Sequence, residues 1–285
     1  MKVVITGAVG LLGKIATQEL VDRGHDVEAV DIVSGVVPEG VPLHIGDLTD
    51  INFARKVIGK AEAVVHLGAI PNPVAGKEYE VFQNNVNSTF AVFTAAAEAN
   101  CRIVAYASSV SAYGTAWSPK FTSPLYAPMD EAHPFVYSES YGLSKHVNEL
   151  AALTWSRRSN TTFVGFRFPY TNTPETTMIF AKKIKSGDPV EVEVASKILW
   201  GYLDSRDAAA ALELAIRSDL KGAHAFNFAA PDTFMTETTG SLLAKFHPAT
   251  EIRGDYSGFQ AVVSSDLWLK TMGYAPKYLI DRASI

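Results

Sequence analysis

The chain has a single cysteine, Cys101, among its 285 residues, so an intrachain disulfide is impossible and there is no paired-cysteine metal or redox motif. Positive charge is short as well: 25 Lys and Arg stand against 30 Asp and Glu, for a net charge of −5. A chain without a basic stripe is a poor partner for nucleic acid. No apolar run approaches the ~18 residues that span a bilayer, so no membrane partner is expected. The apolar opening after Lys2 superficially resembles a secretory leader, yet Gly7, Gly10 and Gly13 interrupt it. Repeats, low-complexity tracts and polybasic tails are missing too. What these absences leave is a cytoplasmic, globular chain. With 47% hydrophobic and 19% charged residues it has the means to bury a large core.

What is present begins with β-formers over Lys2–Thr6, followed by Gly7, Gly10 and Gly13 and a helical pattern from Leu11 to about Arg23. Strand, glycine turn and helix make a cradle for an anion. Gly7 permits the turn, Gly10 lets the backbone approach a pyrophosphate, and Gly13 allows close packing of helix on strand. The helix N-terminus at Leu11 and Leu12 attracts the negative charge. The spacing is G-x-x-G-x-x-G rather than G-x-G-x-x-G, and an ordinary turn is the alternative. His25–Asp31 reads as the second strand, and Asp31 at its end is placed to accept hydrogen bonds from adenosine ribose hydroxyls. A carboxylate there repels a 2′-phosphate, and the stretch from Ile32 to Gly40 has no Lys or Arg to offset it, so NAD is expected over NADP.

Leu43–Leu48 reads as a third strand carrying Asp47, and Asp50 as the N-cap of a short helix to Ile58. The apolar run Ala63–Ala69 suits a buried parallel strand. Its small end at Leu67, Gly68 and Ala69 leaves room for a flat ligand, and His66 within it reads as a packed core residue. Helical periodicity runs from Glu78 to Asn100, with Asn84 and Asn85 inside it. A fifth strand, Arg102–Ala107, leads to hydroxyls at Ser108, Ser109 and Ser111, on the same sheet edge as the glycine turn. Further on, Tyr141 and Lys145 lie one helical turn apart. A phenol beside an ammonium is an acid–base device, since the cation favours the phenolate, although the same spacing is common on solvated helix faces.

Together these stretches resemble the extended short-chain dehydrogenase/reductase family, the NAD-dependent epimerase/dehydratase group typified by UDP-glucose 4-epimerase. The resemblance rests on Thr6–Gly13, Asp31, Gly46–Leu48, His66–Ala69, Asn84–Thr89, Ser108–Gly114 and the Tyr141/Lys145 pair, in family order over about the first 170 residues. It implies an α/β fold with a doubly wound parallel Rossmann sheet over residues 1–170. Residues 198–228 would return to that domain, while 171–197 and 229–285 would build a small interleaved C-terminal substrate lobe. By the same resemblance Tyr141 is the general acid/base, and Lys145 lowers its pKa and holds the nicotinamide ribose. Ser109 matches the catalytic hydroxyl, with Ser108 and Ser111 as competitors. Asp47 and Leu48 would line the adenine, Leu67, Gly68 and Ala69 the ribose and pyrophosphate, Asn84 or Asn85 the cofactor side, and Pro169 the nicotinamide amide. A homodimer through the Glu78 and Tyr141 helices is also implied.

The second half departs from the resembled pattern. Its expected elements are a strand at Thr162–Phe168, a helix at Pro174–Gly187 and exposed strands at Pro189–Val194 and Ile198–Leu203. A helix at Ala208–Arg217 capped by Ser205–Asp207 follows, then a strand at Phe226–Ala229 and two short tail helices. Nucleotide-sugar enzymes of the family carry an arginine for the UDP diphosphate, but Lys197–Leu203 has none. This points to a small sugar, sugar acid or polyol, and the pattern is somewhat similar to uronate dehydrogenases. Arg167 offers either a grip on a substrate carboxylate or a structural ion pair. The loop from Ala116 to Tyr137, with Trp117, Phe121, Tyr126, Met129, His133 and Phe135, reads equally as a lid or as packing, with Trp200 and Tyr202 facing it. The expected function is hydride transfer between nicotinamide and a small hydroxyl or keto substrate, with no metal required. An epimerase that retains its NAD, and a non-catalytic NAD-binding sensor, are the alternatives.

Overall fold

The computed structural model describes residues 1–285. In chain order the first half contains β1 (Lys2–Thr6), α1 (Leu11–Asp22), β2 (Asp26–Asp31), β3 (Leu43–Ile45), α2 (Ile51–Ile58), β4 (Ala63–His66), α3 (Glu78–Glu98) and β5 (Ile103–Ser109). A 3₁₀ turn, Val110–Tyr113, then leads to β6 (Tyr126–Ala127), α4 (Ser140–Ser156), β7 (Thr162–Phe168) and β8 (Tyr170–Asn172). The remainder is α5 (Pro174–Lys185), α6 (Pro189–Lys197), β9 (Tyr202–Asp204), α7 (Ser205–Arg217), β10 (Ala223–Asn227), α8 (Thr239–Phe246), β11 (Glu251–Ile252) and α9 (Asp266–Met272).

Seven strands form one parallel sheet in the order β10-β7-β5-β4-β1-β2-β3. Alternate side chains of a strand point to opposite faces, and both faces here are covered. Val3 and Ile5 join a core shared with Ala16 and Leu20 of α1 and Ala208 and Leu212 of α7. Val4 and Val64 face the opposite layer, with Ala54 of α2, Phe93 of α3 and Ala152 of α4. Such doubly buried strands must read as continuous apolar runs, which is why they stand out in the sequence. The strand order reverses at β1, which has β2 on one side and β4 on the other. A crevice opens beyond the strand ends at such a switch point.

A third core, with Trp200, Phe234, Leu242 and Tyr256, gathers residues of α5, α6 and the chain beyond β10. β8 pairs with β9, and β6 with β11, in two small parallel ribbons. The expected strand at Pro189–Val194 is instead helix α6. Alternation of Val and Glu there mimics a strand, but Asp188 accepts from the Val190 and Glu191 amides, and Pro189 occupies the first turn. The expected strand at Ile198–Leu203 begins only at Tyr202. Leu199 and Trp200 adopt φ of +56° and +55°, and the Trp200 amide bonds back to Ala195 O, so the end of α6 turns before the strand starts. Helix α7 begins at Ser205, with Asp204 as its N-cap.

Candidate active site

A cleft of ≈ 1070 Å³ crosses the C-terminal ends of the central strands. One wall is the glycine turn. Gly7 has φ +68°, and a Cβ there would lie 2.7 Å from Gly68 N, while a Cβ on Gly13 would lie 2.0 Å from Gly7 O. Turn and helix are therefore packed backbone on backbone, and neither position has room for a side chain. No side chain caps the first turn of α1, so its leading N–H groups remain as donors beside Leu11 and Leu12 on the cleft wall. Asp31 lines the same cleft, its carboxylate accepting from Val9 N at 2.9 Å and Ile32 N at 2.8 Å. Gly10, Asp47, Leu48, Leu67, Gly68, Ala69, Asn84 and Pro169 are also cleft-lining. This uncapped helix end, glycine packing and acidic strand end fit a dinucleotide.

Asn85 does not line the cleft. It is fully buried, accepts from Ile70 N at 2.8 Å and donates to Ile70 O at 2.9 Å, clamping the loop after β4. Successive helix positions point about 100° apart, so Asn84 and Asn85 cannot both face the ligand.

Behind the glycine turn runs a chain of polar side chains. Thr6 Oγ1 accepts from Leu67 N and Gly68 N, both at 3.2 Å, and meets His66 Nδ1 at 2.7 Å. His66 Nε2 meets Thr89 Oγ1 at 2.9 Å, which also accepts from Asn148 Nδ2 at 2.9 Å. With two amides already donating to Thr6, its hydroxyl proton goes to Nδ1, and the imidazole carries its own proton on Nε2. Burial first, then the Lys145 charge, pulls the His66 pKa down to about 3. The ring is a neutral core link, as its apolar setting suggests.

The inner end of the cleft brings Ser109, Tyr141 and Lys145 together. Glu139 caps α4 by accepting from Tyr141 N and Gly142 N, both at 2.6 Å. Ser109 caps the 3₁₀ turn through Ser111 N at 3.1 Å and donates to Ser111 Oγ at 3.0 Å. Lys145 Nζ lies 5.5 Å from the Tyr141 ring centroid and donates to Ala107 O at 2.8 Å. Burial pushes the Tyr141 phenol up to about 12, against an opposing hydrogen bond from Ser109. It also brings the Lys145 ammonium down to about 8. Desolvation thus moves both groups toward neutrality, outweighing the depression of the phenol that their spacing suggests.

Among the three serines, Ser108 has its hydroxyl committed to Glu149 Oε1 at 2.6 Å. Arg167 is not a cleft residue. It is buried, donates to both Glu149 carboxylate oxygens at 3.0 and 2.7 Å, and donates to Tyr113 Oη at 2.8 Å. The position before the strand end points it under the sheet edge, where only a paired charge is tolerated. Trp200 is buried in the third core against Phe246 and His247, because the left-handed turn directs the indole inward. Of that loop's aromatic residues only Trp117, 40% exposed, lines the cleft. Phe121 stacks on His247, Tyr126 lies under Arg253, and Phe135 fills the space between Tyr113 and His146.

The outer cleft is built by residues that the sequence reading passed over: Tyr170 and Asn172 of β8, Thr176, Ile179, Phe180 and Lys183 of α5, and Glu191, Val194 and Ile198 in and after α6. Thr173 as N-cap with Pro174 at the first helical position announces α5. The spacing of Thr176, Ile179, Phe180 and Lys183 marks one helix face, the signal that was available for them.

The family model for the NAD-dependent epimerase/dehydratase family matches residues 3–229. A UDP-glucose 4-epimerase of Streptomyces lividans is 29% identical over 153 residues, covering 50% of this chain and 44% of that protein. The chain thus spans about half the length of the curated epimerases it matches. A dTDP-6-deoxy-L-talose 4-dehydrogenase (NAD(+)) of Aggregatibacter actinomycetemcomitans is 25% identical over 235 residues, covering 78% of this chain and 82% of that protein. Among solved structures, a short-chain dehydrogenase/reductase superfamily protein of Agrobacterium tumefaciens with bound NAD superposes with a TM-score of 0.75. It is 21% identical, with 99% of this chain and 94% of that one covered.

Proposed function

The chain belongs to the NAD-dependent epimerase/dehydratase family, and from that premise we propose that it oxidises or reduces a small sugar-like substrate at one hydroxyl or keto carbon. The observation that carries this reading is the meeting of Ser109 with the buried Tyr141 and Lys145 in the same cleft that the glycine turn lines. NAD, when bound, supplies the chemistry of taking up or returning a hydride. The glycine turn, the first turn of α1 and Asp31 would hold it.

The protein's own part is the proton. In the reductive direction Tyr141 holds a proton and hands it to the substrate oxygen. In the oxidative direction Tyr141 must first lose its proton so that the phenolate can accept the alcohol proton, and burial opposes that ionisation. Oxidation therefore gains from alkaline pH and reduction does not. Ser109 holds the same oxygen, and fixing it in this way removes much of the orientational cost. Lys145, tied to Ala107 O, supplies positive charge beside the ring below its pKa of about 8 and loses it above that value.

A second reading, a sugar-nucleotide epimerase with retained NAD, is favoured by the UDP-glucose 4-epimerases, which outnumber the dehydrogenases among the relatives. Against a nucleotide sugar stands the lining itself, in which Lys145 and Lys183 are the only cations and no arginine occurs. A homodimer through α3 and α4 belongs to the same proposal, supported by Phe90, Leu150 and Leu153 lying exposed on those helices.

The test is NADH formation over a panel of free sugars, uronic acids, polyols and nucleotide sugars. Turnover of a small substrate is expected, with kcat lowered at least ~100-fold in Tyr141→Phe. Full activity in that variant overturns the acid–base assignment. Interconversion of a UDP-sugar without net NADH favours the epimerase.

A further inference from the structure

The outer cleft contains an ion pair bridging two helices. Lys183 Nζ of α5 lies 3.0 Å from Glu191 Oε1 of α6, and both residues line the cleft. The ammonium is the more open partner, its side chain 55% exposed against 24% for the carboxylate. Lys145, the other cation of the lining, is buried at the inner end and bonded to Ala107 O. Lys183 is thus the one positive charge available where the distal part of a substrate would lie. It is already paired, and Asp188 adds a second negative field to that of Glu191.

A phosphate or carboxylate entering here meets a fixed carboxylate and a neutralised ammonium, whereas tight anion recognition needs uncompensated charge. Hydroxyl groups fare differently. A carboxylate accepts two or more O–H bonds, an ammonium bonded to one carboxylate oxygen keeps two N–H donors, and neither loses its partner in using them. The uncharged polar residues Tyr170, Asn172 and Thr176 of the same wall suit the same chemistry.

We infer that Lys183 and Glu191 determine specificity, reading neighbouring hydroxyls of an uncharged sugar or polyol and excluding phosphate and carboxylate groups from the outer cleft. This rests on the cleft being the oxidoreductase site proposed above, and it narrows that substrate class to its neutral members.

The experiment titrates NAD-saturated protein with UDP, glucose 6-phosphate and glucuronate, following binding by thermal shift. For the wild type, every anion should bind with Kd weaker than about 1 mM. Glu191→Gln, nearly the same shape without the charge, should tighten glucose 6-phosphate or glucuronate about tenfold, the effect of removing one nearby like charge. Adding Lys183→Ala should abolish that gain. The inference is overturned by wild-type Kd below about 0.1 mM for any of the three anions. It is equally overturned by unchanged anion affinity in Glu191→Gln, or by a gain that survives loss of Lys183. None of these readouts depends on Tyr141. If Tyr141→Phe keeps full activity while Glu191→Gln gains anions, the acid–base reading fails and the selectivity device stands.

Discussion

His66 contributes, with His133, His146 and His247, whose pKa values burial also lowers, to the response of the chain to acid. Its pKa falls to about 3 in the folded protein, from an ordinary value near 6.5. The unfolded chain therefore binds the proton that the folded chain refuses, so stability rises with pH across the interval between those values. Stability from this source is present in full above about 6.5 and is lost as pH drops toward 3, with a magnitude on the order of 5 kcal/mol. His66→Gln should be less stable at pH 7, because the Thr6 and Thr89 bonds are rearranged, but should show a flatter acid limb in urea unfolding at a series of pH values. An unchanged slope between pH 6.5 and 3 would rule His66 out as its source. That His66 is a core link was legible from its apolar neighbours. The placements of Asn85 and Trp200 were not, because a backbone partner on the loop after β4 and a left-handed turn decide them; for Arg167 the ion pair was one of the two readings, and its buried partner Glu149 decides between them. That Tyr141, Lys145 and Ser109 meet in one cleft was legible, because four-residue helix spacing and a strand end are local properties.

Elements show the same division. The parallel strands are readable because burial on both faces forces continuous apolar runs, and the glycine turn because its geometry excludes side chains. Gly13→Ala tests the second point. Its Cβ would fall 2.0 Å from Gly7 O, so the turn must open. NAD affinity should drop by about 100-fold or more, and the protein should lose roughly 1–3 kcal/mol, measured by calorimetric titration and by urea midpoint. Wild-type affinity in that variant would mean that the turn does not hold the dinucleotide. Helix α6 was hidden because alternating Val and Glu carry the period of a strand, and only the Asp188–Pro189 start distinguishes it. That one misreading also conceals Glu191, since the same residue on a surface strand has no claim on the cleft.

At the scale of the molecule, three cores must stay aligned for the two ends of the cleft to face each other. Asp207 ties the start of a C-terminal strap, residues 274–282, to α7. Buried at the start of α7, it accepts from Tyr274 Oη at 2.9 Å, from Lys277 N at 2.9 and 3.0 Å, and from Tyr278 N at 2.9 Å, while Arg206 lies 3.7 Å from the Tyr278 ring. Tyr202 Oη accepts from Ile280 N, and Arg282 donates to Asp232, extending the strap over the third core. Asp207→Ala removes the buried acceptor shared by the Tyr274 hydroxyl and the Lys277 and Tyr278 amides and should cost about 3 kcal/mol in urea unfolding. A loss below ~0.5 kcal/mol would show that the strap is held elsewhere. No local pattern announces this tie, which joins residues 67–71 positions apart. The Thr6–His66–Thr89–Asn148 chain belongs to the same scale, since it runs from β1 through β4 and α3 to α4. Its hydrogens can be ordered in only one direction without leaving a donor facing a donor. The gap between the glycine turn and the Tyr141 helix is therefore bridged as by a gauge block, a run of bonded side chains of set length. The outer cleft can be re-machined for a new substrate while that inner tolerance stays as it is.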